Sequence, residues 1–308
     1  MTVTDPHQTQ QDSRATPFAP AWFTSALAAP VDIATVTVAG AHISYRAYGP
    51  SSRPGVVLVH GGAAHARWWD HIAPLLASDR RIAAIDLSGH GDSDWRSEYT
   101  LEVWAEEVMA VAADAGIDGP PVVVGHSMGG FVTWTVAERH GASLAGAITI
   151  DSPVHDLTPE QKAARERRAF GPAKVYPSRE AAMARFRPVP AQDTTLPYVR
   201  EHLAGTSIRR SSTGWSWKFD RRIFASPRMS RTVLKPLECR TALVRSGDGL
   251  VPASMGDMIH SRLGCATPLI EIPDAGHHVM LDRPLCLVTA LRAVLAEWGD
   301  RADGPTRT

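Results

Sequence analysis

Val122-Val123-Val124-Gly125-His126-Ser127-Met128-Gly129-Gly130 is the stretch whose reading decides this chain. Three β-branched residues run straight into Gly-x-Ser-x-Gly, and from Phe131 to His140 the pattern becomes helical. A strand, a glycine-framed serine and a helix, in that order, make the sequence form of a nucleophile elbow. Such a turn holds the serine in a strained backbone geometry and lifts its hydroxyl clear of the sheet. Gly125 and Gly129 answer the close approach of strand and helix. The same pentapeptide also occurs in ordinary glycine-rich turns, so the flanking strand and helix carry the reading.

Working outward, apolar runs alternate with helical patterns. Ala34–Val38 and His42–Tyr48, joined by Ala39-Gly40-Ala41, read as an opening hairpin. Gly55–Val59 and Arg81–Ile85 are continuous apolar runs, as strands buried on both faces should be. Ala147–Ile150, Ala242–Val244 and Leu269–Ile272 follow. Between them, Leu101–Ala115 sets Leu101, Trp104, Val108, Val111 and Ala112 on one helical face, and Leu285–Trp298 behaves alike. The expected fold is α/β: a doubly wound, mostly parallel sheet flanked by helices. From about residue 154 to 231 the alternation stops. Helix-like pieces (Pro159–Arg168, Arg179–Phe186, Leu196–Leu203) are punctuated by five prolines and end in Trp215, Trp217 and Phe219. A structureless loop of that length is improbable, so a helical cap inserted into the sheet is expected. The organisation is then a disordered 1–20, core 21–153, cap 154–231, core 232–300 and a flexible tail 301–308.

Composition narrows the class. The chain has 308 residues, 44% hydrophobic and 21% charged, enough for a full core plus an insertion. Lys and Arg number 32, as do Asp and Glu, so nothing calls for nucleic acid or an anionic membrane as partner. The basic residues Lys162, Arg165, Arg167 and Arg168 interleave with Glu160 and Glu166 and read as a solvated helix face. Cys239, Cys265 and Cys286 fit neither a disulfide framework nor zinc-ligand spacing. With a polar start, Met1 to Thr16, and no run long enough to span a bilayer, a cytoplasmic protein is expected.

A serine on an elbow needs a base, an acid that orients the base, and two backbone donors for the oxyanion. On this architecture the acid and base follow the nucleophile. Of the later histidines, His277 sits directly after Gly276 in a loop closing the Leu269–Ile272 strand, and it is the chosen base. His278 then lines or packs beside the site. Asp248, in Arg245-Ser246-Gly247-Asp248-Gly249, is the chosen acid, with Asp151 in reserve at the end of Ala147–Ile150. The oxyanion donors expected are the amides of Met128 and of Gly62, with Ala63 as alternate. His60 organises that loop. Trp215, Trp217, Phe219 and Phe186, with Trp68 and Trp69 near the oxyanion loop, are candidates for an apolar or aromatic pocket.

Taken in order, His60-Gly61-Gly62, Asp86-Leu87-Ser88-Gly89-His90-Gly91-Asp92-Ser93, Gly125-His126-Ser127-Met128-Gly129-Gly130, Asp248…Val251-Pro252 and Gly276-His277…Asp282-Arg283-Pro284 resemble the successive blocks of the α/β-hydrolase superfamily, capped type. The resemblance runs from about Val36 to Trp298, the cap excepted. It implies the oxyanion roles of Gly62 and Met128, a structural role for the Asp86 block, and no metal or organic cofactor. One departure stands out: the family's acid loop usually has residues between its glycine and the acid, whereas Asp248 directly follows Gly247. That shortening keeps Asp151 open.

The resulting expectation is a serine hydrolase of the carboxylesterase or lactonase type, acting on a small apolar or aromatic substrate through an acyl-enzyme. His126, where C–C bond hydrolases of this superfamily usually carry Asn, favours the ester reading; Ser127 argues against dehalogenases and epoxide hydrolases, which carry Asp there. The alternatives are C–C hydrolase, acyltransferase, lyase or perhydrolase chemistry on the same triad, or a hydrolase-like receptor for a small ligand.

Overall fold

A short helix α1 (Ala21–Leu27) leads into a hairpin of β1 (Asp32–Val38) and β2 (Ala41–Tyr48). The hairpin turns on Ala39 and Gly40, both at positive φ (44° and 78°), as a tight two-residue turn requires. The computed structural model describes residues 19–226, 234–264 and 267–300. The expectations of a disordered N-terminal segment, a flexible tail after 300 and the last residues of the insertion therefore lie largely outside the described residues, as does Cys265. After the hairpin come β3 (Gly55–Val59), α2 (Ala73–Leu76), β4 (Arg81–Ile85), α3 (Leu101–Asp114), β5 (Val122–His126), α4 (Met128–His140) and β6 (Gly146–Ile150).

Between β6 and the next sheet strand lie α5 (Pro159–Phe170), α6 (Arg179–Met183), α7 (Pro197–Thr206), and an antiparallel pair, β7 (Ile208–Ser211) with β8 (Gly214–Trp217). Then follow β9 (Thr241–Asp248), α8 (Ala253–Leu263), β10 (Leu269–Gly276), α9 (Val279–Asp282) and α10 (Pro284–Asp300). The sheet has eight strands in the order β1-β2-β4-β3-β5-β6-β9-β10. Only the β1–β2 and β2–β4 pairings are antiparallel. The fold is thus the doubly wound α/β sheet that the sequence pattern implies. The insertion departs from the all-helical expectation, because the aromatic run at its end is a strand.

Side-chain alternation explains why the central runs are apolar throughout. Val56 and Leu58 of β3 point into one core with Trp69, Ile72 and Leu291, while Val57 and Val59 point into the other with Trp104, Val108 and Phe131. All four valine and leucine side chains are fully buried, as period-two geometry demands when helices cover both faces. Helix α3 begins where Thr100 accepts a hydrogen bond from the Val103 amide, a side-chain cap.

Six buried histidines make the fold acid-sensitive. Burial pushes His71 and His90 down to about 4 and His126 to about 3, and holds His60, His65 and His278 well below their ordinary range. In the unfolded chain each takes a proton near pH 6.5. Below that pH the unfolded state binds more protons than the native one, so stability falls with falling pH, on the order of 1 kcal/mol per histidine per unit. Asp86, pushed up to about 6 by burial, opposes the trend, with smaller upward shifts at Glu107 and Asp282. Histidines outweigh them. The melting temperature should therefore be highest above about pH 6.5 and drop by at least about 10 °C between pH 7 and pH 5. Calorimetry across that range checks it, and a flat profile would refute the neutral burial of these imidazoles.

Candidate active site

The elbow forms where β5 ends. Ser127 lies at φ 55° and ψ −116°, a strained conformation for a non-glycine residue, held by the strand before it and the helix after it. Its amide donates to Ile150 O (2.9 Å), which ties the turn to the neighbouring strand β6. A Cβ on Gly125 would overlap Gly129 O and Thr133 Oγ1, and one on Gly129 would lie 2.5 Å from His60 O. Glycine at both positions follows from these close approaches.

The base stands opposite. In β10 the pairing with β9 advances four residues, from Ile272 to Gly276, while β9 advances two, from Ser246 to Asp248. This bulge, with Asp274 at φ 52°, turns the loop so that His277 faces the elbow. Ser127 Oγ–H donates to His277 Nε2 at 3.0 Å. His277 Nδ1–H donates to a carboxylate at 2.7 Å, and that carboxylate belongs to Asp151. An acceptor-only carboxylate on Nδ1 requires the proton there, leaving Nε2 bare for the serine.

Asp248 is not in contact with His277. It is exposed, pairs through its backbone with Gly276, and its carboxylate has no hydrogen-bond or ion-pair partner among the described residues. The reason is not the order of strands, since β9 lies beside β10 and β6 one strand farther from it, but burial: Asp248 is exposed, while Asp151, just after β6, is buried beside the elbow. The 246–251 loop instead wraps around Asp151: Leu250 N donates at 2.7 Å, Val251 N at 3.2 Å and Ser246 N at 3.4 Å. Gly249 is required here, since a Cβ would overlap the Asp151 carboxylate. The short acid loop is therefore the cradle of the acid rather than its source.

Gly62 and Met128 come together as expected. The Gly62 Cα faces the Met128 side chain, and both residues border the cavity beside Ser127. Neither amide donates to an acceptor among the described residues. The loop that carries Gly62 is held by two groups. His60 Nε2 accepts from Leu87 N at 3.2 Å, and Asp86 accepts from Ala66 N (2.6 Å) and Asp92 N (2.9 Å). Both act as organisers of the loop.

Two supports were not foreseen in the sequence. His126 Nε2–H donates to the His277 carbonyl at 2.8 Å, and Gln192, from the insertion, accepts from His278 N at 2.8 Å. A lone Gln in a proline-rich loop carries no sequence signal. His126, as the residue before the nucleophile, could have been flagged by position. His126, His277 and His278 each place a ring nitrogen within 4.8 Å of the others, a spacing at which they could share a cation. With His277 already bonded to Ser127 and Asp151, such a cation would take the base out of action.

Above the elbow lies a cavity of about 440 Å³. Trp68, Phe186, Trp217, Phe219 and His278 line it, along with Ser127. Trp215, two residues earlier on β8, does not, although its backbone pairs with Tyr176, which does. Trp69, fully buried, belongs to the core.

With this geometry in hand, comparison with known proteins is decisive. Residues 56–291 match the profile described as the alpha/beta hydrolase family. The chain belongs to that family. This hydrolase is 30% identical to Lipase LipV of Mycobacterium tuberculosis over 260 residues, covering 80% of the present chain and 95% of LipV. It is 26% identical to Esterase Rv0045c of the same organism, covering 79% and 83%. Among solved structures, the thioesterase domain from the curacin biosynthetic pathway superposes with a TM-score of 0.73 at 19% identity, covering 85% of this hydrolase and 99% of that domain. The last likeness concerns the fold alone. Among the described residues, no helix of this hydrolase is long and apolar enough to cross a membrane.

Proposed function

We propose that this hydrolase cleaves carboxylic esters by a serine mechanism with an acyl-enzyme intermediate. The observation that carries the reading is the continuous chain Ser127 Oγ–His277–Asp151, at 3.0 Å and 2.7 Å, beside two unengaged amides. Ser127 attacks the ester carbonyl as His277 Nε2 takes its proton. The Gly62 and Met128 amides bind the oxyanion, and the imidazolium then protonates the departing alcohol. Water, activated by the same nitrogen, releases the acid and restores Ser127. Asp151 keeps the proton on Nδ1 and stabilises the transient imidazolium.

Two further relations support the reading. The relatives matched along most of their length are named a lipase and an esterase. The insertion covers the elbow: Phe186 and Trp217 contribute to the cavity wall, and Gln192 holds the His277 loop from above. We assign residues 154–226 as a cap on this basis, with a small-molecule substrate enclosed beneath it. A cytoplasmic placement is part of this reading, supported by the free thiols of Cys239 and Cys286 among the described residues.

Turnover of para-nitrophenyl butyrate should begin with a burst of nitrophenol close to one equivalent if deacylation is the slow step, and a fluorophosphonate should label Ser127 stoichiometrically. Absence of both turnover and labelling would sink the serine mechanism.

A further inference from the structure

The charge of this hydrolase is unevenly distributed. The whole chain has 32 basic and 32 acidic side chains, yet residues 154–231 hold sixteen Lys and Arg against seven Asp and Glu. The excess is not confined to a solvated face. Arg165 and Arg168, which the sequence pattern assigns to such a face, border the cavity above Ser127, together with Lys174, Arg185 and Arg187. No Asp or Glu is among the described residues that line it.

Arg165 donates to Ser226 O at 3.0 Å, whereas the Arg185 guanidinium and Lys174 ammonium make no ion pair or hydrogen bond among the described residues. Arg187 donates only to the carbonyls of Ala184 and Phe186. The Arg168 guanidinium lies 3.8 Å over the Phe224 ring, and burial and nearby Arg221 hold its pKa below the ordinary value. Arg168 and Lys174 also border a second cavity of about 310 Å³, which shares the Trp217, Phe219 and Phe224 walls. The two spaces meet where Arg168 and Lys174 border both. Arg168, Lys174, Arg185 and Arg187 border the cavity and are also exposed, so they gather like charge at a place an anion can reach from solvent. Arginine forks are also suited to bind a carboxylate or phosphate.

We propose that the cap selects esters whose far end carries a carboxylate or phosphate, with the ester carbonyl at Ser127, the apolar body against Trp68, Phe186 and Trp217, and the anion among Arg165, Arg168, Lys174, Arg185 and Arg187. The proposal rests on the ester-hydrolase reading and adds its substrate class.

Two matched substrate pairs test it on the full-length enzyme. The first is the mono-para-nitrophenyl ester of adipic acid against its methyl ester, which puts a carboxylate on the acyl side. The second is butyryloxyphenyl phosphate against butyryloxyphenyl methyl ether, which puts a phosphate on the alcohol side. In at least one pair, the anionic member should have a kcat/KM at least about tenfold higher at low salt, with the preference shrinking near 0.5 M salt. The preferred pair tells which side of the ester lies among the cations. Lys174→Gln/Arg185→Gln should reduce that preference severalfold, while Lys162→Gln, on the cap but away from the cavity, should not. Equal or faster turnover of the neutral member in both pairs, or an unchanged preference in the double variant, would overturn the proposal. Tryptophan-fluorescence titration of Ser127→Ala protein with the same compounds reads binding without chemistry. If no ester is turned over, the hydrolase reading fails, yet tighter binding of an anionic member still supports the subsite and equal binding refutes it.

Discussion

Asp151→Asn should lower kcat for a nitrophenyl ester by about 10,000-fold while leaving KM within a few-fold of its starting value. The carboxylate accepts the Nδ1 proton of His277 at 2.7 Å and is fully buried. An amide there can present an N–H to Nδ1 and drive the proton onto Nε2, where it blocks acceptance of the serine proton. The imidazolium formed during attack also loses its counter-charge. Asn preserves size, but the Leu250 and Val251 amides exchange a charged acceptor for a neutral one, so the melting temperature must be measured alongside. Asp248→Asn supplies the contrast. Its side chain is exposed and touches no member of the site, so its kcat should stay within about twofold. Should Asp248→Asn be the inactive variant and Asp151→Asn the active one, the role given to Asp151 by its bond to His277 fails.

Ser127→Ala should abolish turnover to at least the same degree and remove fluorophosphonate labelling. Only a hydroxyl is lost, and alanine suffers the same positive φ as serine, so the fold should persist with little change in melting temperature. Because nucleophile and base act as one unit, Ser127→Ala/His277→Ala should be no slower than Ser127→Ala alone. His278 offers the control next door. It packs against Trp68 and His277 with ring centroids 5.4 and 4.7 Å away and makes no bond to Ser127, so His278→Ala should alter KM more than kcat. Retention of more than about a tenth of turnover in Ser127→Ala would place the chemistry elsewhere.

Much was legible in the residues themselves. Gly55–Val59 and Arg81–Ile85 emerge with the same ends that their apolar runs imply, because a strand covered by helices on both faces must be apolar at every position. The elbow was legible for a similar reason: Gly125 and Gly129 are demanded by contacts within one strand-turn-helix unit, so they leave a local trace. His277 followed from its glycine and its place after the last strand. Less local features left weaker traces. The β7–β8 pair is two runs of four residues, Ile-Arg-Arg-Ser and Gly-Trp-Ser-Trp, too short for a period to distinguish from a loop.

The acid marks the boundary most clearly. Asp151 and Asp248 are both aspartates at the ends of β-strands, and nothing within ten residues of either says which one reaches His277. Tertiary packing decides it, by leaving the Asp248 side chain exposed and burying Asp151 against His277. The same packing folds three amides of the Asp248 loop around the Asp151 carboxylate. Likewise, the sequence on its own carried the basic residues of α5 as a charge-balanced helix, and only the packing of the cap over the elbow turned Arg165 and Arg168 toward the cavity. Sequence alone determined the sheet strands and marked Ser127 and His277 as candidates, since each is written in short-range sterics and periodicity. The acid, the cavity wall and its charge were decided by tertiary structure, because they depend on which distant strands and helices become neighbours.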